Sequence, residues 1–337
     1  MTEPGVEELA ESPSLEPVTE RILRRLGGRR AFWIVLWSAI PLLSPLIFST
    51  VIRATGRAFT QEAFASGLLT QAGIAWANLV LLWGSGHLAG EARTTRDELC
   101  RAAPAQVPES IFGAIARRDG PILLTLVVTG IVVANNWAAF GPQAPLATLP
   151  LFLAYMLPIM TFIWVYVAIL TDIDRLGELP VVLDRFPQDR TMGLARVGSL
   201  ASTGLGALFL AAIPVLLIGS DQPVTLAVSL TLVFAAVGAF ALSLWRLHRQ
   251  MAAAKRRYVA NTRKLYADAY APIREHPDIG SLTAASTALS VARSLDERAA
   301  GLPTWPIDEG TARFVAVVVT GVITSLIVRA LFIAIGV

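Results

Sequence analysis

Between Asp119 and Asp172 the chain contains no Asp, Glu, Lys or Arg. Three further windows, Ala31–Ile52, Val197–Ser220 and Gln222–Trp245, are equally bare. A helix needs about 20 apolar residues to cross roughly 30 Å of hydrocarbon. Runs of this length predict a multi-pass membrane protein, all-α, built as a polytopic transmembrane helix bundle. Composition agrees: 16% of the 337 residues are charged and 54% hydrophobic, against about 25% charged in soluble domains.

The runs predict seven spans. Ala31–Ile52 is the first, with Pro41 and Pro45 inside it predicting a kink. Proline is tolerated there because neighbouring helices re-satisfy the freed backbone groups. Its basic flank arrives late and no small-x-small cleavage site closes it, so a retained span is expected rather than a signal peptide. The second, about Phe64–Trp83, is followed by Gly84, Gly86 and Gly90. Pro121–Ala139 and Leu149–Leu170 form a tight pair, as do Val197–Ile218 and Val224–Leu244. Phe314–Val337 is the seventh. Residues 1–20 hold six acids and few large apolar side chains, so disorder is expected there, with Arg21–Arg30 a basic cytoplasmic flank.

Lys and Arg asymmetry sets the orientation. With the N-terminus inside, the segments 1–30, 84–120, 171–196 and 245–313 hold five, five, four and eleven basic residues, 25 of the 28. The same segments carry 23 of the 25 acids. The inner face therefore bears both signs, and N-inside, C-outside is the expected topology. A net charge of +3 with a pI near 9.3 offers no concentrated basic surface for nucleic acid, so no nucleic-acid partner is expected. The lone Cys100 excludes an internal disulfide.

Residues 31–244 thus form a six-span bundle, and 245–313 a cytoplasmic helical hairpin before the last span at 314–337. Leu244, Met251, Tyr258 and Leu265 recur every seven residues, a coiled-coil-like seam on a stalk continuing the sixth span. Pro272 and Glu275–Gly280 are expected to break that helix. Ser281 is a candidate N-cap for a return helix that Gly301 and Pro303 end. The apolar stripes predict packing of the two helices on each other or on a second copy, so residues 246–303 are the expected contact with a homo-oligomer or a cytoplasmic protein.

Chemistry-bearing motifs are scarce. The sequence has no Walker-type Gly-Lys-Ser/Thr loop, no His-Glu-x-x-His and no Gly-x-Ser-x-Gly elbow, so no catalytic residue, cofactor or metal site is assigned and no enzyme is expected. His87 and Glu91 have metal-ligand spacing, but without a third ligand a local pairing explains them more simply. Asp172 and Asp174 read by default as a solvated helix end. Arg329, the one charge within a span, is expected to extend its head to the outer surface. Gln71, Asn78, Asn135 and Asn136 are the neutral polar groups that line a pathway or, more often, bond between helices.

Two short stretches carry a resemblance. Leu295-Asp296-Glu297-Arg298-Ala299, followed by Thr304-Trp305-Pro306-Ile307-Asp308, resembles a loose group of uncharacterised bacterial multi-pass membrane proteins. In that group a Trp-Pro-x-Asp turn precedes the last span. Asp189–Leu200, with Gly193 and Gly198, is similar to the loop before a middle span of the same group. The resemblance covers about a third of the chain, implies the bacterial inner membrane, and carries no activity. On physical grounds Trp305 anchors at the interface, Pro306 stops the preceding chain and Asp308 can cap the seventh helix. The functional expectation is a membrane sensor, scaffold or assembly factor acting through its stalk. The alternative is a channel or facilitator for a small solute or ion, lined by neutral polar residues.

Overall fold

The computed structural model describes residues 15–54, 56, 60–102, 107–140, 143–179, 194–218, 223–275, 279–302, 304–307 and 309–335. All regular structure among them is helical. The helices are α1 (Val18–Leu26), α2 (Arg30–Ser38), α3 (Ser44–Ala54), α4 (Gln61–Ala102), α5 (Asp119–Phe140), α6 (Gln143–Leu176), α7 (Ala195–Ile218), α8 (Pro223–Glu275), α9 (Ile279–Ala300) and α10 (Glu309–Ile335). Among the described residues, five segments are long and apolar enough to cross a membrane: Arg30–Ala54, Phe64–Arg101, Leu146–Leu176, Ala195–Leu216 and Glu309–Leu331. Asp119–Asn135 is a shorter apolar helix. Leu123, Ile131 and Val317 stand 63%, 65% and 71% exposed on α5 and α10, a surface that only an apolar solvent covers favourably.

The predicted kink in the first span is present. A 3-10 turn at Ile40–Leu43 carries Pro41 and separates α2 from α3. The other boundaries correct the expectations in three places. The helix of the second span does not stop near Trp83; α4 runs through Gly84, Gly86 and Gly90 for 42 residues to Ala102, about 63 Å. Gly84 is there for contact: a Cβ would lie 3.0 Å from the Phe162 ring and 3.5 Å from Ala207. The helix of the stalk continues beyond Pro272 to Glu275, because a proline one turn from a helix end costs few hydrogen bonds. And α9 begins at Ile279, so Ser281 falls within its first turn.

The disorder expected for residues 1–20 does not hold from Leu15 onward: Leu15 and Thr19 are fully buried, with Val18 and Leu23 nearly so. Residues 1–14 lie outside the described residues. Two left-handed glycines, Gly27 (φ 69°) and Gly28 (φ 73°), turn the chain from α1 into α2. Arg30 then donates from Nε and Nη2 to both oxygens of Glu20, at 3.0 and 2.7 Å. These local ties explain why a charged segment orders here.

At the centre stand α4, α6 and α7. The apolar window of α6 is 56% buried, that of α10 only 12%, which makes α10 peripheral. Pairs of contacts fix the relative directions. A Cβ on Gly73 would lie 3.5 Å from the Pro214 backbone, while far along the same helices Arg196 pairs with Glu98 at 2.8 Å. So α4 and α7 run antiparallel.

Two prolines inside these helices have their lost bonds replaced. Pro214 of α7 cannot donate to the Leu210 carbonyl one turn earlier, and Trp76 Nε1 of α4 donates to that oxygen instead at 3.0 Å. In α6, Pro158 frees the Ala154 carbonyl, and Trp37 Nε1 takes it at 2.7 Å. An unpaired carbonyl in hydrocarbon costs several kcal/mol, so each indole joins two helices at a point that proline prepared. Arg329 acts at the end of α7 in the same way. Its Nη1 donates to the Leu216 carbonyl at 3.1 Å, within the last turn of a helix that ends at Ile218. The guanidinium thus meets the negative end of a helix dipole.

Candidate functional site

The densest polar contacts lie where the long helix α8 leaves its apolar segment. Leu244, Leu247, Met251 and Ala254 of α8 are buried and belong to the same core as Ile173, Leu176 and Leu194. The seam therefore begins inside the bundle. Its outer half differs: Tyr258 is half-buried and Leu265 is 52% exposed. The seam, whose companion positions fall on Asn261 and Asp268, is thus buried at its base and exposed at Leu265. The helix packed on α8 is α9, whose 22 residues are rich in Ala, Ser and Thr and offer little apolar volume to cover a leucine.

Four side chains on other faces of α8 fix its root. Gln250 Nε2 donates to the carbonyls of Gly177 and Leu179, both at 2.7 Å, just past the last residue of α6. Arg246 pairs with Asp174 at 3.2 Å and also with Glu178. On the return side, Lys255 Nζ donates to the Leu302 carbonyl and His248 Nδ1 to that of Thr304, each at 2.7 Å. A carbonyl only accepts, so the His248 proton sits on Nδ1. The His248 ring stacks on Trp305 at 4.3 Å, with Trp245 6.3 Å from Trp305.

Trp305 is 36% exposed and Pro306 is buried. Asp308 lies outside the described residues. The Pro306 carbonyl lies directly over Gly198 of α7, where any Cβ would collide with it. The two stretches that carried the resemblance therefore touch each other.

A second clamp sits at the turn before α5. Phe112 is fully buried with φ 62°, a left-handed conformation that costs a non-glycine residue roughly 1–2 kcal/mol. Its N–H donates to Asp172 Oδ2 at 2.8 Å, and Arg175 Nη1 reaches Oδ1 at 3.2 Å. Asp172 is 5% exposed, so it is no solvated helix end. Around it, Arg21 Nη2 donates to the Ala116 carbonyl at 2.6 Å and Trp164 Nε1 to that of Ala114 at 2.9 Å.

The chain matches no family model, no curated protein and no solved structure.

Among the described residues, the sequence-predicted polar set shows no mutual hydrogen bond. Asn78 is fully buried with neither amide atom partnered, and Gln71 Oε1 is buried without a partner. Asn135 is exposed on α5, which packs on α6. The side chain of Asn136 lies outside the described residues. An apolar cleft of about 580 Å³ between α2, α4, α7 and α10 is lined by Leu79, Val80 and Trp83 but not by Asn78. His87 stacks on Trp83 at 4.9 Å, and among the described residues no three His, Cys, Asp or Glu converge as metal ligands. Sequence reasoning missed Gln250 and Arg246, and read Asp172 as a solvated helix end. Their partners are backbone groups and loop carboxylates distant in sequence, which no periodicity marks.

Proposed function

We propose that this is a seven-span protein of the bacterial inner membrane whose α8–α9 hairpin stands in the cytoplasm and binds a protein partner there, as a sensor, scaffold or assembly factor. The seven-span reading adds the apolar beginning of α8 and the shorter α5 to the five long apolar segments. It is supported by the gathering of the basic segments at one end of the bundle: Arg21 with Ala116, Arg196 with Glu98, Arg246 with Asp174 and His248 with Thr304. The opposite end holds the Gly73–Pro214 contact and the Arg329–Leu216 bond.

The observation that carries the partner reading is apolar exposure on the outer hairpin. Leu265, Tyr270 and Val291 are 52%, 56% and 53% exposed. Leu265 lies 20 residues beyond Trp245, about 30 Å along the helix, well above any lipid that could cover it. A photo-crosslinking amino acid at Leu265 or Tyr270, introduced in cells, should give an adduct of one discrete mass, either a homodimer or one other protein. The same probe at Arg313 should not. Monomer alone at all three positions would sink the reading.

A small-solute facilitator is the second reading, and the unpartnered Asn78 amide is what favours it. Liposomes containing the protein would then pass a small neutral solute, and Asn78→Leu would abolish the flux. Equal flux through both proteins would remove Asn78 from any route.

A further inference from the structure

A groove of about 860 Å³ runs along α8 at the hairpin root, lined among others by Trp245, His248, Arg249, Arg256, Arg263 and Thr304. None of its lining residues is an acid. No Asp or Glu among the described residues lies within ion-pairing distance of Arg249, Arg256 or Arg263. This sets them apart from Arg246, Arg293 and Arg313, each of which has a carboxylate partner. The two acids of the facing helix are otherwise placed: Glu297 pairs with Arg293, and Asp296 is exposed and does not line the groove. Ala252 and Val259 supply an apolar floor, and the Trp245, His248 and Trp305 rings form a shelf at the lower end. Cations left without carboxylates beside an aromatic shelf suit a phosphate group carried on an apolar body.

The geometry points to this groove as a binding site for the phosphodiester headgroup of an anionic phospholipid, seated between Trp245 and Arg249 with its acyl chains running down along α8. Depth decides between a lipid and a soluble anion. Trp245 ends the charge-free run, and the headgroup layer beyond the hydrocarbon is only about 5–8 Å thick. Arg249 stands four residues, about 6 Å, beyond Trp245, whereas Arg256 and Arg263 stand about 16 and 27 Å beyond it. Arg249 is within the layer, Arg256 reaches toward it with its long side chain, and Arg263 is out of range. The inference goes beyond the partner reading and is independent of it, resting only on the placement of α8 in the bilayer.

The test is native mass spectrometry of the purified full-length protein, given equimolar phosphatidylglycerol and phosphatidylcholine in detergent. Each cation near a membrane surface is worth about fivefold in affinity for an anionic headgroup. Phosphatidylglycerol should therefore be retained over phosphatidylcholine by fivefold or more. Arg249→Gln should remove most of that preference, Arg256→Gln part of it, and Arg263→Gln no more than the control Arg293→Gln. All four side chains are exposed, and Arg249→Lys, which should keep the preference, guards against a misfolded Gln variant. Absence of headgroup preference in the wild type would overturn the site. Equal losses from Arg249→Gln and Arg263→Gln would assign the groove to an elongated soluble partner such as an acidic peptide. Displacement of the lipid by millimolar glycerol 3-phosphate or inorganic phosphate would assign it to a soluble anion.

Discussion

A proline within a helix removes one donor, and at Pro158 and Pro214 that loss is answered from another helix by an indole. The Trp76–Leu210 bond exists because Pro214 cannot make it. Trp76→Phe keeps the ring and removes the N–H, and should cost about 1–3 kcal/mol. Pro214→Ala restores a backbone donor, so the same Trp76→Phe change in that background should cost much less. Unfolding in mixed micelles measures both, and a double-mutant cycle with a coupling below about 0.5 kcal/mol would show the two residues acting independently. Asp172 behaves differently, since the group it satisfies is held in a strained conformation. Asp172→Ala leaves the buried Phe112 N–H without an acceptor and should destabilise by about 2 kcal/mol or more. Asp172→Asn keeps an acceptor oxygen and should cost less than half as much. Equal losses from the two would mean that charge, not the Phe112 bond, is what matters.

At the scale of elements, the turn at Trp305–Pro306 depends on Gly198. Gly198→Ala places a methyl group against the Pro306 carbonyl. The turn must shift, and the His248–Trp305 stack goes with it. Limited proteolysis at residues 301–305 should accelerate severalfold, while Gly90→Ala, where no atom lies within 4 Å, should leave cleavage unchanged. An unchanged rate in Gly198→Ala would mean that the turn adapts without cost. Helix existence was legible in the sequence at this scale, because a charge-free run has few other ways to satisfy its backbone. Helix ends were less so. Gly84 follows the apolar run without marking an end, and only the Phe162 ring, distant in sequence, shows that it is a contact site. The fading of the seam at Leu265 was visible in the pattern, but its exposure depends on what α9 presents.

For the whole molecule, basic residues were the legible signal, and the structure adds which of them meet. Segments separated by apolar helices come together at one end through Arg21, Arg196, Arg246 and His248. Which end faces the cytoplasm is a matter for labelling. With Cys100→Ser as background, Glu62→Cys should react with a membrane-impermeant maleimide in intact cells. Ser290→Cys should react only after permeabilisation. Both residues are exposed, so a reversed pattern would invert the orientation. The candidate site was less legible than the topology, because its partners are carbonyls of Gly177, Leu179, Leu302 and Thr304, which any residue type supplies.

The 53-residue α8 is also a lever. Gln250 ties it to the end of α6, and about 37 Å of helix extend beyond that fulcrum to Glu275. A tilt of about 10° there would carry the far end about 6 Å. Gln250 contacts the end of the most buried helix of the bundle, so a small displacement of α6 among its neighbours would be magnified at the tip, where Leu265 and Tyr270 are displayed.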